Sequence, residues 1–107
     1  MIRLSIFYPN KEDNSRFDAD YYINTHMPMS IEKLGPALRG LSVELGLPVS
    51  DLPGRQPTYT AMCHMLFDSV EAFMEAFGPH QALLQGDMPN YTDIEPVFQF
   101  SEVKIFI

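Results

Sequence analysis

Two hydrophobic periodicities alternate along this chain, and their order leaves few folds open. Apolar residues recur at every second position in some segments, as in a strand, and at every third or fourth in others, as in a helix. The predicted elements are, in order, a strand at 2–8, a helix after Asp18, strands at 38–47 and 58–67, a helix at 70–77 with a further turn at 80–84, and a long strand at 94–107. Loops are predicted at 11–15 and at the proline-rich segment 48–57.

This order is that of the ferredoxin-like α+β fold, βαββαβ, a four-stranded antiparallel sheet with both helices on one face. The other face of such a sheet is normally polar. Here the third and last predicted strands are apolar on both faces. In the third, Met62 and Leu66 share one face, and Cys63, Met65 and Phe67 share the other. We therefore expect a homodimer in which the two sheets pack into a barrel.

Length and charge narrow the class of protein. The 107 residues predict a single domain spanning 1–107, small enough to gain stability from a partner subunit. Seven Lys and Arg against fourteen Asp and Glu give a net charge of −7 without a basic run, which argues against nucleic acid and anionic membranes as partners. The single cysteine, Cys63, predicts no internal disulfide, and the apolar start before Pro9 is too short for a signal peptide or membrane span. A cytoplasmic protein is expected.

The segment FDADYYINTHMPM, residues 17–29, combines helix-start signals with a proline. Asp18 is a suitable N-cap, and Phe17 before it is placed to pack on Tyr22. Pro28 removes the hydrogen bond to the Asn24 carbonyl and crowds that carbonyl. We therefore predict that the helix breaks between residues 24 and 30, with a second helical piece ending at the Gly-Pro of 35–36.

This segment, the YPN at 8–10 and FDSVEAFMEAFGPH at 67–80 together resemble the EthD family, named after ethyl tert-butyl ether degradation. The resemblance covers nearly the whole chain, and FD-x2-YY-x3-H-x-P is its most specific part. It implies a dimeric α+β barrel with a small apolar pocket between helices and sheet in each subunit. Related barrels include quinone-forming monooxygenases, aromatic-polyketide cyclases, a lactone isomerase and haem-dependent enzymes. The resemblance therefore implies a fold more strongly than a reaction.

Three histidines and a tyrosine are the candidate catalytic residues. His26 and Tyr22 are four residues apart, so they share a helix face. They serve either in proton transfer or only in packing, with His26 bonded to a carbonyl freed by Pro28. His64 lies mid-strand on an apolar face, where the resemblance implies a pocket histidine. His80 follows the second helix, where it is either a solvent-exposed cap or, as the resemblance implies, a histidine that closes the pocket from the other side. We expect His26, His64 and Tyr22 to line one cavity, with His80 at its mouth.

The leading functional hypothesis is a small oxidoreductase of the cofactor-independent monooxygenase type. It would act on an aromatic or polyketide-like molecule in an apolar pocket, with a histidine moving protons and Tyr21 or Tyr22 holding a carbonyl or phenol. Met62, Phe73 and Phe77 are the expected apolar contacts of the substrate. Two alternatives stay open: a cyclase or isomerase that uses the same residues, and a non-catalytic ligand-binding accessory protein of a degradative pathway.

No metal and no cofactor are expected. His26, His64 and His80 show none of the short ligand spacings of structural zinc sites. The chain has no glycine-rich phosphate loop, so neither a nucleotide nor a flavin is indicated. A haem on one axial histidine is an alternative that the resemblance leaves open, although the chain is short for a haem cleft.

Overall fold

The computed structural model describes residues 1–11, 15–50 and 56–107, and the centres of the two predicted loops lie outside them. Within the described residues, one antiparallel sheet is built from four strands. These are β1 (Ile2–Pro9), β2 (Gly40–Leu45), β3 (Tyr59–Phe67) and β4 (Val97–Glu102). Their order across the sheet is β2-β3-β1-β4, which places β1 and β3 at the centre and β4 at an edge.

Helices cover one face of this sheet. In the described part of the chain they are α1 (residues 19–34, made of Ala19–Tyr21, Tyr22–His26 and Met27–Leu34), α2 (Val70–Phe77) and α3 (Gln81–Gly86), with 3-10 turns at Gly35–Ala37, Gly78–His80 and Met88–Asn90. Beneath them, Leu4, Cys63 and Met65 belong to the buried core. The predicted ferredoxin-like α+β fold is confirmed, including the further helical turn that follows His80.

Strand β4 begins later and ends earlier than predicted. It pairs only with β1, and the register ends with Ile2 opposite Glu102. One more backbone hydrogen bond follows, from the Val103 N–H to the Met1 carbonyl (3.1 Å). The apolar pattern of the sequence continues beyond it, but none of the described strands pairs with these residues. Residues 104–107 therefore run outside the sheet, with their side chains exposed.

The ends of α1 form as predicted. The Asp18 carboxylate accepts a hydrogen bond from the Tyr21 backbone N–H (3.0 Å). The rings of Phe17 and Tyr22 pack with centroids 5.1 Å apart, which is the predicted staple. At the other end, Gly35 has a φ of 60°, a conformation that glycine adopts without the penalty of a Cβ, and the helix stops there.

The predicted break at Pro28 is wrong. The helix continues through the proline, with a π-helical segment at Tyr22–His26 between two α-helical parts. The Met27 N–H bonds to the Tyr22 carbonyl, one residue further back than in an α-helix. In a regular α-helix the Pro28 ring would crowd the Asn24 carbonyl. The wider π turn makes room for the ring, so the irregularity is absorbed without ending the helix.

The face of the sheet away from the helices, here called the open face, is crossed by a polar row. The row follows the strand register and consists of Ser42, His64, Ser5 and Gln99. Ser5 Oγ lies 2.8 Å from His64 Nδ1. Apolar residues lie on either side of this row, namely Phe7, Met62, Leu66 and Val97. The open face is therefore less apolar than the sequence pattern suggested, but it retains four large apolar side chains.

Candidate active site

A cavity of about 330 Å³ lies between the helices and the covered face of the sheet. Its wall is largely apolar and includes residues from β1, β3, β4 and all three helices described above. The polar groups on the wall are the side chains of Tyr8, Tyr22, His26, Ser30, Gln81, Gln85 and Tyr91. A concave, mainly apolar cavity with a few placed polar groups is the usual form of a small-molecule site.

His26 is fixed in the wall of this cavity. It comes from the π-helical segment, and its side chain is only 9% exposed. Its Nδ1 lies 2.9 Å from Oδ2 of Asp87, which follows α3. The imidazole stacks on Tyr22 (centroids 5.6 Å apart, planes at 14°) and contacts Tyr91 (4.7 Å). Among the described residues Nε2 has no hydrogen-bond partner, so it is the nitrogen left for a ligand.

Asp87 is held by three donors. The Tyr21 hydroxyl donates to Oδ1 at 2.6 Å and the Asn90 side-chain amide donates to the same oxygen at 2.9 Å, while His26 bonds to Oδ2. Partial burial works against the charged carboxylate, but the bonds from Tyr21, Asn90 and His26 outweigh it and hold the pKa of Asp87 below its ordinary value. Asp87 is therefore an anion at neutral pH.

The charge on Asp87 decides which nitrogen of His26 carries the proton. A carboxylate can only accept hydrogen bonds, so His26 Nδ1 must be the N–H donor. In the neutral imidazole the lone pair is then on Nε2. A proton accepted there would give an imidazolium stabilised by the adjacent carboxylate. The His26–Asp87 pair thus has the geometry of a general base and the carboxylate that orients it.

Behind the histidine lies a set of buried hydroxyl and thiol groups that stay neutral. The Tyr8 and Tyr91 hydroxyls are 2.9 Å apart and bond to each other. The buried Tyr22 hydroxyl has no partner at hydrogen-bond geometry within the described residues. Burial raises the pKa values of all three phenols, and it raises the pKa of the Cys63 thiol to about 12. None of these groups is ionised at neutral pH, so none is a nucleophile or a competing base.

Comparison with known proteins identifies the family. The model of the EthD domain matches residues 12–95, which is most of the chain. The chain belongs to the EthD family. The solved structure of an EthD-like protein from Ralstonia eutropha JMP134 is 44% identical, with a TM-score of 0.89 over 97% of this chain and 92% of the other.

Two more distant structures share the fold. One is an EthD-family protein from Bacillus halodurans C-125, 21% identical, with a TM-score of 0.64 over 97% of this chain and 99% of that one. The other is SnoaB, a cofactor-independent oxygenase from Streptomyces nogalater, 11% identical, with a TM-score of 0.54 over 99% of this chain and 94% of that one. The chain matches none of the curated proteins with which it was compared. The EthD domain is thus related in fold to cofactor-independent oxygenases.

The expectation that His64 shares the cavity with His26 is wrong. In this EthD chain Cys63 and Met65 point to the helices, so by the two-residue period of β3 the side chains of His64 and Met62 lie on the open face. His64 lines a separate depression with Ser5 and Arg3. Met62, an expected substrate contact, is likewise absent from the cavity wall. The sequence could not show on which face of the sheet His64 lies, because both sets of alternate residues in β3 are apolar.

The other expected site residues divide into three groups. Tyr22, Phe73 and Phe77 line the cavity together with His26. Tyr21 does not line it, since its hydroxyl is bonded to Asp87. His80 lies on the turn Gly78–His80 beside the cavity but is not part of its wall. The expected bond from His26 to a carbonyl freed by the proline is also wrong, because its partner is a carboxylate.

Asp87, Asn90 and Tyr91 are site residues that the sequence did not reveal. They lie in the segment GDMPNYTD, residues 86–93, whose glycine, proline, asparagine and aspartates indicate only a loop from the sequence. In the structure Met88–Asn90 forms a 3-10 turn that directs Asp87 towards His26. The local signal was an aspartate immediately before Met-Pro-Asn, a common way to begin a turn. Nothing local connects it with a histidine 61 positions earlier.

Two further observations concern the described residues only. No helix among them is long and apolar enough to cross a membrane. No group of three or more His, Cys, Asp or Glu side chains among them is arranged to hold a metal ion. His26 and Asp87 therefore stand as a pair, without a third potential ligand close by in this part of the chain.

Acid should weaken the fold partly through Asp87. Its pKa is lower in the folded chain than its ordinary value of 3.8, so the unfolded chain binds the proton more readily. The stability that Asp87 contributes is present above about pH 4 and is lost as the pH falls through the lowered pKa. We expect Asp87→Asn to cost about 1–3 kcal/mol at pH 6 and to lose part of the acid dependence. Urea unfolding at pH 6 and pH 3 measures both.

The matched control is Asp68→Asn. The pKa of Asp68 is also lowered, by its pairing with Arg39, but both side chains are more than half exposed. Exposed ion pairs contribute little. A loss of stability at pH 6 that is as large for Asp68→Asn as for Asp87→Asn would contradict the role given to the partly buried carboxylate of Asp87.

Proposed function

We propose that this EthD protein is a cofactor-independent monooxygenase that acts on a neutral aromatic or polyketide-like molecule. His26 Nε2 removes an acidic proton from the substrate, and Asp87 stabilises the resulting imidazolium. The observation that carries this proposal is the placement of a charged, orienting carboxylate behind a histidine in the wall of an apolar cavity. A histidine needed only for packing requires no such partner.

The cavity supports a neutral substrate. Among the described residues that line it, there is no lysine, arginine, aspartate or glutamate. A carboxylated or phosphorylated molecule would lose its hydration there without gaining an opposite charge, which is costly. The volume of about 330 Å³ is at the small end of ligand pockets, which suits a few fused rings. The aromatic side chains of Phe73, Phe77 and Phe98 provide flat apolar surface for such rings.

Oxygenation follows when the deprotonated substrate is electron-rich enough to reduce oxygen itself. A phenol or an enolisable CH2 group beside aromatic rings gives such an anion. The overall change, an activated CH2 group and O2 giving a carbonyl group and water, is balanced without an external reductant. The related fold of a cofactor-independent oxygenase supports this reaction type.

Binding and oxygen uptake test this proposal. A panel of neutral naphthols, anthrones and simple phenols, each paired with its carboxylated counterpart, is titrated into the protein while amide chemical shifts are followed. We expect neutral members to shift resonances around the cavity and their carboxylated counterparts to do so at least tenfold more weakly. Compounds that bind are then tested for oxygen consumption. If compounds of the panel bind but none of them is oxidised with consumption of oxygen, the monooxygenase proposal is contradicted.

A second candidate is a cyclase or isomerase, because His26 can return the proton to another atom of the same molecule. The same pair supports it, and turnover without oxygen would identify it. An accessory ligand-binding role predicts binding with neither oxygen uptake nor any change in the ligand. The buried His26–Asp87 pair favours the catalytic readings over the accessory one.

We also propose that the protein is a homodimer formed through the open face. Phe7, Met62 and Val97 supply accessible apolar area there, whereas Leu66 is already buried in the single chain. The polar row between them can hydrogen-bond across an interface. The exposed segment 104–107 adds further apolar side chains next to this face. An apolar surface of this kind on a small domain is typical of an interface.

A further inference from the structure

We propose that the π-helical segment Tyr22–His26, together with Tyr21 and Asn90, is the device that positions the catalytic base. Its geometry brings Tyr21 and His26 onto one carboxylate, that of Asp87, and so fixes the Nδ1–H form of His26. This inference rests on the proposed function in that it explains how His26 is prepared as a base. Tyr21 and Asn90 are positioning residues, since they touch Asp87 and not the cavity.

The helical geometry is the first step. Tyr21 and His26 are five positions apart, and at about 3.6 residues per turn such side chains point roughly 140° away from each other. They could not both reach one side chain from a regular α-helix. A π-helix bonds residue i to i+5, so residues with this spacing lie nearly above one another. Here Tyr21 Oη is 2.6 Å and His26 Nδ1 is 2.9 Å from the two oxygens of Asp87.

The two oxygens of the Asp87 carboxylate have different hydrogen-bond partners, which is the second step. Within the described part of the chain, Oδ1 of Asp87 accepts from both Tyr21 and Asn90, whereas Oδ2 accepts only from His26. With two donors on one oxygen, rotation of the carboxylate would break two hydrogen bonds. Oδ2 is therefore held towards Nδ1, and the proton of His26 is kept on the side away from the cavity. Second-sphere partners of a histidine commonly set its tautomer in this way.

The third step is what keeps the segment π-helical. Pro28 has no N–H to give to the Asn24 carbonyl, so an α-helical turn here would gain one hydrogen bond fewer than usual. The Met27 N–H instead bonds to Tyr22. π-Helical turns behave as one-residue insertions into α-helices and are frequent at functional sites. Because this hydrogen bond is missing, the free energy of a regular α-helical turn here is less favourable, and the π-helical turn competes with it more easily.

The tautomer of His26 is directly measurable by 15N NMR of the imidazole, with no substrate present. In the native protein we expect a protonated-type Nδ1 and an unprotonated-type Nε2. Tyr21→Phe removes one hydrogen bond on Oδ1 and should lower the ratio of the Nδ1–H to the Nε2–H form by about five- to tenfold. Tyr59→Phe is the control, because the Tyr59 hydroxyl makes no hydrogen bond in the described part of the chain. It should leave the ratio unchanged.

The double variant Tyr21→Phe with Asn90→Ala is the stronger test. It leaves the helix intact and removes both hydrogen bonds on Oδ1 of Asp87. We expect the ratio of the Nδ1–H to the Nε2–H form to fall further in this variant than in Tyr21→Phe alone. Thr25→Ala, at an exposed position within the π-helical segment, should leave the ratio unchanged.

The outcomes separate this inference from the proposed function. An unchanged tautomer ratio in Tyr21→Phe and in the double variant would overturn the positioning role, whatever reaction the protein carries out. The expected tautomer changes in a protein that turns over no compound would leave the positioning device in place and count against the proposed reaction alone.

Discussion

Replacing His26 with alanine should lower kcat/KM for any compound that the enzyme oxygenates by about 10²–10⁴-fold, the usual contribution of a general base. The imidazole is the only base on the described cavity wall, and the phenols around it are held neutral by burial. Water cannot replace it efficiently in a largely apolar cavity. Binding of the substrate should change much less, because the apolar wall remains. Initial rates of oxygen uptake against substrate concentration measure both effects.

His64→Gln is the matched control for this experiment. His64 lies on the open face, outside the cavity, so its replacement should leave kcat/KM within about threefold of the native value, a change of under 1 kcal/mol. Thermal unfolding of both variants shows whether either change acts through stability. A severe loss in His64→Gln together with near-native activity in His26→Ala would mean that the base is on the other face of the sheet.

Placing a charge on the open face should separate the proposed subunits. Val97 is 52% exposed in the single chain and lies on the open face of edge strand β4. Val97→Glu therefore costs little in a monomer but would bury an unpaired charge in the interface. We expect the dimer Kd to rise at least 100-fold, because truly buried unpaired charges cost several kcal/mol. Sedimentation velocity at micromolar concentration measures the change.

Leu83→Glu is the corresponding control. Leu83 is 48% exposed on α3, in the helical layer and away from the open face, so the same charge there should leave the Kd unchanged. A native protein that sediments as a monomer would remove the dimer proposal. A Val97→Glu variant that remains as dimeric as the native protein would move the interface to another face.

The last predicted strand is apolar on both faces, so from the sequence alone a charged substitution at Phe100 is expected to separate the subunits or abolish folding if its side chain lies in the interface. The structure shows that Phe100 is not a suitable test of the interface. Its ring lies 5.5 Å from that of Phe73, on the helix-covered side, and lines the cavity. A charge at this position would alter ligand binding and the core together. Phe100 pairs directly with Leu4, a core residue on β1, so both side chains lie on the helix-covered face of the sheet.

Local features of the fold were predictable because their causes are local. The Asp18 cap, the staple of Phe17 on Tyr22 and the Gly35 exit each depend on residues within one helical turn. The order of strands and helices likewise followed from periodicity. The extent of β4 was not predictable in this way, because it depends on where its neighbour begins, at Ile2.

The site could be predicted only in part. His26 and Tyr22 were found because their spacing places them on one helix face. The face of the sheet on which His64 lies could not be predicted, since both sets of alternate residues in β3 are apolar. The hydrogen bonds from His26 and Tyr21 to Asp87 could not be predicted, because they join the helix to a residue 61 and 66 positions further along the chain. Such tertiary contacts override local helix preferences and leave no periodic signal.

Solvent deuterium exchange without oxygen shows directly whether His26 removes a proton from the substrate. We expect the native protein, in D2O under nitrogen, to incorporate deuterium at the acidic carbon of a bound anthrone-type substrate well above the uncatalysed rate. His26→Ala should fall to the uncatalysed rate, while His64→Gln should exchange like the native protein. Exchange by His26→Ala at the native rate, or no exchange by a native enzyme that binds and oxygenates the same compound, would contradict the claim that His26 removes the proton.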